Sequence, residues 1–137
     1  MQERTIRSII GAQNTVTLQP GTTVRAAAKV MAQHRIGAVP VTEKGRLVGI
    51  FTERDLMNRV IAGDIDEDAT RLGDVMTAEP QTIAADATIV DALHLMIDGG
   101  FRHLPVVQGD RLVGIVSMRD IPPEYWGLRE VPRAVNG

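Results

Sequence analysis

The sequence predicts a mixed α/β fold made of two similar β-α-β-β-α units that pack on each other. Three observations lead to this prediction. The phrase RLVGIFTERD at 46–55 returns 65 residues later as RLVGIVSMRD at 111–120. Residues 16–55 align with residues 81–120 without a gap, and 13 of the 40 pairs are identical. Apolar spacing and turn residues also recur at matching positions, and two copies are too few for a solenoid.

Each unit is expected to begin with a short strand and an amphipathic helix. The strand NTVTLQP stops at Pro20-Gly21, and QTIAADA is its counterpart. Thr22 or Thr23 in the first copy, and Thr88 in the second, are suited to cap the following helix. The apolar residues of these two helices recur at helical spacing: Val24, Ala27, Ala28 and Met31, then Ile89, Ala92, Leu93 and Met96.

The second half of each unit predicts a β-hairpin followed by another helix. AVPVT and HLPVV are expected to be strands that begin around a proline, which has no N–H for an interior ladder position. Polar turns at 44–45 and 109–110 lead into the strands RLVGIF and RLVGIV. A helix is then expected from Glu53 to about Ala62. In the second copy Pro122 stops the corresponding helix, and Pro123 is suited to begin a new one.

Composition excludes several classes of protein. The 137 residues include 44% hydrophobic residues, enough for a core, although only four residues are aromatic. No apolar run reaches the roughly 18 residues of a membrane span, and the N-terminus lacks a secretory stretch. The absence of cysteine excludes disulfides, thiolate metal sites and a thiol nucleophile. A net charge of −2 argues against broad nucleic-acid binding. We therefore expect a soluble cytoplasmic protein with no membrane or nucleic-acid partner.

An acidic segment, AGDIDEDATRLGDVM, lies between the two copies. Asp64, Asp66 and Asp68 briefly resemble a calcium-binding loop. Such a loop requires glycine at its sixth position and glutamate at its twelfth, whereas this chain has Ala69 and Val75 there. We therefore interpret residues 64–71 as a solvated linker and expect no metal site.

The repeated phrase ends in a hydroxyl residue followed three places later by aspartate, Thr52 to Asp55 and Ser117 to Asp120. One interpretation is a capping box at the start of a helix. The other is a ligand site, because a helix N-terminus suits a phosphate and an aspartate there can accept hydrogen bonds from two ribose hydroxyls. Arginine before each aspartate is not required for capping, and Gly49 and its counterpart inside the strands indicate a close approach to the backbone.

At these residues the sequence resembles the cystathionine β-synthase (CBS) domain, twice, over about residues 6–121. The whole order of elements, the LPVV start, the LVGI strand and the hydroxyl-x-x-Asp phrase all match. The resemblance implies a Bateman module, in which two units pack about a pseudo-twofold axis and leave two clefts. It also implies an adenosine-containing ligand: AMP, ADP, ATP, NAD or S-adenosylmethionine.

Carried over by position, the resemblance implies a role for ten residues. Asp55 and Asp120 contact ribose hydroxyls, with Thr52 and Ser117 beside the ribose and phosphate. The remaining implied ligand residues are Thr17 and Thr82, which line the base, Arg102 and His103, which meet phosphate, and Arg54 and Arg119, which are either phosphate contacts or solvated helix residues.

The two clefts are not expected to be equivalent. The counterparts of Arg102 and His103 in the first copy are Gly37 and Ala38, which are small and uncharged. The cleft that contains Asp120 is therefore the better candidate for a phosphorylated ligand.

The sequence thus predicts a first unit with the N-terminal segment at 1–63, a linker at 64–71, a second unit at 72–121 and a tail at 122–137. The predicted function is regulatory binding of an adenine nucleotide, without catalysis or a required cofactor. The alternative is a ligand-free interaction or dimerisation module. A homodimer is implied by the resemblance, with the prolines altering its surface and Tyr125 and Trp126 covering apolar residues. The sequence does not identify the regulated partner protein.

Overall fold

The structure is a computed structural model that describes residues 4–11 and 14–130, with side chains up to Gly127. Its helices are α1 (Ile6–Ile10), α2 (Val24–His34), α3 (Glu53–Asp55), α4 (Leu72–Val75) and α5 (Ile89–Gly99). Its strands are β1 (Ala38–Glu43), β2 (Arg46–Thr52), β3 (Thr77–Ala78), β4 (Ile83–Ala84), β5 (His103–Gln108) and β6 (Arg111–Ser117). A π-helix spans Leu56–Ile61, and 3₁₀ helices span Met118–Asp120 and Pro123–Glu130. The predicted mixed α/β fold is confirmed.

One six-stranded sheet connects the two units. Its order is β1-β2-β6-β5-β4, and β3 pairs with β2 outside that path. Each unit contributes an antiparallel hairpin, and the two hairpins meet where Arg46 is paired with Arg111. The pairing register shifts after Val41 in one hairpin and after Val106 in the other, which are matching positions of the repeat. The repeated sequence therefore produces the same local structure twice.

Each unit has its own hydrophobic core. The core of the first unit contains Val24, Val39 and the fully buried Phe51. The core of the second unit is built around Leu93 and Leu104, which are also fully buried. Aliphatic residues from one face of α2 and α5 pack onto the hairpins, as their helical spacing predicts.

The segments that lead into the two units are exchanged between them. Ile6 of α1 lies in the core of the second unit, whereas Leu72 of α4 lies in the core of the first. The backbone bonds are symmetric, since Ile6 donates to Ala87 at 2.9 Å and Leu72 donates to Thr22 at 2.8 Å. The apolar residues of the N-terminal segment are thus buried by the second unit, although the segment precedes the first unit in the chain.

The first strand of each unit is shorter than predicted. In the first copy only Leu18 forms a bridge, to Val41, and in the second the strand is the two-residue β4. Leu18 donates to the carbonyl of Pro40 and accepts from Thr42, at 3.1 and 2.8 Å. Because Pro40 has no N–H to donate, the ladder cannot continue along that part of β1.

The predicted helix starts are confirmed. Thr23 accepts from the backbone N–H of Ala26 at 3.2 Å, and Thr88 forms a capping box with Asp91. The helix after β2 changes from α to π geometry at Leu56 but continues to Ile61.

The proline interruption of the second copy also matches its prediction. The turn after β6 ends at Asp120, and a new helix begins at Pro123. This new helix places Tyr125 in the second core, 4% exposed. Within the described part of the chain, no helix has the length and hydropathy that crossing a membrane requires.

Candidate functional site

A cleft of about 310 Å³ lies at the junction of the two units and contains Asp120. The second unit contributes His103, Ser117 and Arg119 to its wall. The first unit contributes the extended segment 14–16 and the start of β1. Since both units build the wall, any molecule in this cleft contacts both of them.

Asp120 combines a helix-capping role with exposure to the cleft. Its Oδ2 accepts from the backbone N–H of Ser117 at 2.8 Å and from the Ser117 hydroxyl at 3.0 Å. Among the described residues no donor to Oδ1 is recorded, and the side chain is exposed. The carboxylate is therefore oriented by Ser117 while it keeps the capacity to accept from a ligand.

The equivalent aspartate of the first unit has a different environment. Asp55 is 7% exposed, and it is the one buried charged side chain of residues 4–11 and 14–127. Its Oδ2 accepts from the backbone N–H of Thr52 at 3.0 Å, and its Oδ1 accepts from the hydroxyl of Thr77 at 3.3 Å. Arg59 lies 3.6 Å from the same Oδ1. Protein groups thus occupy both oxygens of Asp55.

The close approach predicted at Gly49 involves a protein side chain. A Cβ atom at this position would lie 2.5 Å from the sulfur of Met76. Met76 directly precedes Thr77, so the same segment packs on β2 and bonds to Asp55. Glycine in this strand is explained by the packing of that segment.

Small residues make room beside Asp120. Gly37 and Ala38 line its cleft at the positions where the second unit has Arg102 and His103. At Gly37 an added Cβ would lie 3.0 Å from Oε1 of Glu53. The difference between the two copies therefore lies mainly in side-chain size: Gly37 and Ala38, which are small, leave open space in the Asp120 cleft.

His103 forms part of the wall of the Asp120 cleft and is half-buried. Burial lowers its pKa from the ordinary value of 6.5, and the positive charges of Arg119 and Arg102 act in the same direction. Glu53 and Asp120 oppose the shift. His103 is therefore neutral at pH 7.

Arg102 faces a second cleft, of about 800 Å³, instead of the first. The two clefts are adjacent, because they share lining residues. Gly37 of the first unit and His103, Ser117 and Arg119 of the second line both. The structure therefore brings His103, Ser117, Arg119 and Asp120 together and places Arg102 on the far side of His103.

The two arginines that precede the aspartates connect the units. Arg54 donates to the carbonyl of Gly100 at 3.0 Å, and Arg119 donates to the carbonyl of Arg35 at 3.3 Å. Gly100 and Arg35 are the C-caps of α5 and α2, where a positive charge is favourable. These bonds between units give each arginine a structural role that neither sequence interpretation included.

The profile of the CBS domain matches residues 6–62 and 72–121. The chain belongs to the CBS-domain family. Its two CBS units form the tandem arrangement of a Bateman module, as the resemblance implies. The CBS domain-containing protein YhcV of Bacillus subtilis is 38% identical over 105 residues, which are 77% of this chain and 74% of YhcV. The chain spans only 22% of CBSCBSPB2 of Arabidopsis thaliana, at 35% identity.

Solved structures share the complete fold of the two CBS units. A protein with CBS domains from Burkholderia ambifaria superposes with a TM-score of 0.83 at 27% identity, covering 97% of this chain and 100% of that protein. The CBS domain protein PAE2072 of Pyrobaculum aerophilum, complexed with AMP, superposes with a TM-score of 0.82 at 26% identity. That comparison covers 93% of this chain and 98% of PAE2072.

Five of the ten implied residues line neither cleft: Thr17, Thr52, Arg54, Asp55 and Thr82. Thr17 is exposed and Thr82 is half-buried, and neither lines the first or the second cleft. Thr15 and Val16, just before Thr17, line the Asp120 cleft instead. Sequence reasoning missed them because the irregular segment 14–19 lacks the regular alternation that assigns residues to faces.

Asp66 and Asp68 of the linker between the CBS units have protein partners. Asp66 accepts from the backbone N–H of Asp68 at 2.9 Å, which forms a local turn. Asp68 and Glu67 form ion pairs with Arg25 of α2. Among the described residues no group of three or more histidine, cysteine or acidic side chains is placed to hold a metal ion.

Proposed function

We propose that this tandem CBS protein is a regulatory module that binds one adenine nucleotide in the cleft beside Asp120. The observation that carries the proposal is the contrast between the two aspartates. Asp120 is exposed in a cleft formed by both units, whereas Asp55 is buried with both oxygens occupied. A ligand that reached Asp55 would first have to displace Thr77 and Arg59.

The chemistry of the Asp120 cleft suits a nucleoside phosphate. The carboxylate can accept from two vicinal ribose hydroxyls, and such charge-assisted bonds are stronger than neutral ones. Arg119, which lines the cleft, is suited to phosphate because its guanidinium can donate two parallel hydrogen bonds. The complex of PAE2072 with AMP supports this class of ligand.

Regulation follows from the position of the cleft between the units. A ligand can shift an equilibrium only if it binds two arrangements with different affinity. A nucleotide held by Asp120 of one unit and by residues 14–16 of the other stabilises one relative arrangement. The module then presents that arrangement to a regulated partner protein. We also propose that the protein acts as a homodimer in the cytoplasm, and that its role is binding and not catalysis.

The test is calorimetric titration with AMP, ATP and NAD of the wild type, Asp120→Ala and the matched control Asp55→Ala. We expect one site per chain. Asp120→Ala weakens binding roughly ten- to a hundredfold, because bonds to a charged acceptor contribute about 1.5–3 kcal/mol each. Asp55→Ala lowers stability but leaves affinity unchanged. Equal affinity of the wild type and Asp120→Ala would refute the site.

A ligand-free interaction module is the second candidate, and one observation favours it. Both hydroxyl-x-x-Asp phrases form capping interactions, which account for the aspartates without any ligand. If this candidate is right, no nucleotide produces heat with any of the three proteins. Each aspartate variant then loses only stability, by about 0.5–2 kcal/mol.

A further inference from the structure

The helices α1 and α4, which lead into the two units, end at aligned residues but direct the chain along different paths. Gly11 is the C-cap of α1, and Met76, 65 residues later, is the C-cap of α4. Both cap N–H groups donate to the carbonyl four residues earlier, at 3.0 and 2.8 Å. Met76 is extended, with φ −68° and ψ 163°, whereas Gly11 has φ 56° and ψ −144°, which a residue with a Cβ rarely adopts. The two segments therefore diverge at this residue.

The extended path after Met76 places the next residues over the buried aspartate of the first unit. Strand β3 pairs with β2 where Ala78 faces Gly49. The hydroxyl oxygen of Thr77 lies 3.3 and 3.5 Å from the two carboxylate oxygens of Asp55. Thr77 thus supplies Asp55 with the hydroxyl group that a ribose would otherwise supply.

Arg59 of the π-helix binds this segment and the aspartate at the same time. Its Nη1 donates to the carbonyl of Met76 at 3.0 Å and to that of Val75 at 3.3 Å. Its Nε lies 3.6 Å from Oδ1 of Asp55. The guanidinium therefore offsets the charge of the buried carboxylate and holds the backbone that covers it. Without this partner Asp55 would be a buried, poorly compensated charge, which is costly.

The other copy of the repeat lacks these three side chains. Its residues at the offset of 65 positions are Gly11 for Met76, Ala12 for Thr77 and Glu124 for Arg59. Glycine and alanine have no side-chain donor for a carboxylate, and glutamate carries the opposite charge to arginine. The helix that would carry the third residue is also interrupted at Pro122. The side chains that cover Asp55 therefore have no equivalents in the sequence of the other copy.

Resting on the proposed function, we propose that Arg59, Met76 and Thr77 form a latch that keeps the first unit closed and limits the module to one nucleotide. Met76 fills the space over Gly49, where an added Cβ would lie 2.5 Å from the sulfur of Met76. Thr77 and Arg59 satisfy the carboxylate of Asp55. The latch makes the two units unequal, because only the unlatched one can respond to a nucleotide.

The test replaces latch residues with those of the other copy and counts AMP sites by calorimetry. Met76→Gly combined with Thr77→Ala should raise the number of sites per chain from one to two. Adding Asp55→Ala should return it to one, whereas adding Asp120→Ala should weaken the original site and leave the new one. Val60→Ala is the matched control. Val60 is fully buried in the first core and lines neither cleft, so its variant should lose stability but keep one site.

Arg59→Gln is a milder variant that keeps the proposal testable if the double variant does not fold. It removes the cation beside Asp55 and leaves Met76 and Thr77 in the chain. We expect the backbone amides of residues 76–79 to exchange with deuterium faster than in the wild type, because the segment opens more often. We also expect AMP to bind at a second, weaker site. Unchanged exchange together with a single site would overturn the latch.

The possible results separate the latch from the proposed function. Two AMP sites in the wild type, or one site in the folded double variant, would overturn the latch while AMP binding at Asp120 stands. Absence of AMP binding by the wild type would overturn the proposed function. In that case the latch is supported only if the double variant binds AMP through Asp55, and it is overturned if neither protein binds.

Discussion

The hydroxyl group of Thr77 donates a hydrogen bond to the buried carboxylate of Asp55, at 3.3 Å. This bond joins β3 at the start of the second CBS unit to the end of the repeated phrase in the first unit. Thr77→Val keeps the shape of the side chain but removes this donor. We expect the free energy of unfolding to fall by about 1–3 kcal/mol, because a bond to a charged acceptor is lost. Urea denaturation measures the change.

Thr17→Val is the matched control for that substitution. Thr17 is exposed, so the change should stay within about 0.5 kcal/mol. If Thr77→Val were as stable as the control, the bond to Asp55 would not contribute to the stability of the fold.

Arg102 should discriminate between ligands with and without phosphate. Since Arg102 lies beyond His103, Arg102→Ala is expected to weaken ATP binding roughly tenfold and adenosine binding little. The difference should shrink at high salt, because screening acts on the charged contact. Arg46→Ala is the control: Arg46 is largely exposed and pairs with Asp110 at 3.5 Å, outside both clefts. Equal losses for ATP and adenosine would contradict a phosphate contact.

Variants of Arg54 and Arg119, which each donate a hydrogen bond to the other unit, should distinguish an effect on stability from an effect on nucleotide binding. Arg54→Gln and Arg119→Gln each remove one bond to a helix C-cap carbonyl, and each should lower the free energy of unfolding by about 0.5–1.5 kcal/mol. Only Arg119 lines the clefts, so only Arg119→Gln should also weaken nucleotide binding. A loss of affinity in Arg54→Gln equal to that in Arg119→Gln would show that both act through the arrangement of the units.

His103 should make stability depend on pH. In the unfolded chain it binds a proton with a pKa near 6.5, whereas burial lowers the pKa in the folded chain. As the pH falls through 6.5, the unfolded chain therefore takes up the proton first, and stability decreases. His103→Gln should show a smaller decrease between pH 7 and pH 5 in urea denaturation. Identical pH profiles for the two proteins would mean that His103 titrates alike in both states.

Assembly should depend on the exposed face of the π-helix. Met57 and Ile61 are 60% and 55% exposed and lie four residues apart, so they form an apolar pair on one face. We expect a homodimer at micromolar concentration that becomes monomeric in the double variant Met57→Glu, Ile61→Glu. Light scattering measures the mass of each. A monomeric wild type, or a dimeric double variant, would exclude this face as the interface.

The sequence by itself determined the repeat and most of its local structure. Helix caps at Thr23 and Thr88, the paired hairpins and the stop at Pro122 depend on residues within a few positions of each other, and local rules capture them. The sequence also showed that the two copies differ at one position pair, because Gly37 and Ala38 align with Arg102 and His103, but not that Gly37 and Ala38 line the cleft of Asp120.

Only the tertiary structure decided how the environments of the two repeated aspartates differ. Asp55 and Asp120 occupy the same position of the repeat, yet Thr77, 22 residues further along the chain, engages only Asp55. The exchange of α1 and α4, the bonds of Arg54 and Arg119 and the place of Trp126 likewise join residues far apart in sequence. Such contacts depend on how the two units pack, and a local pattern of residue types carries no information about that packing.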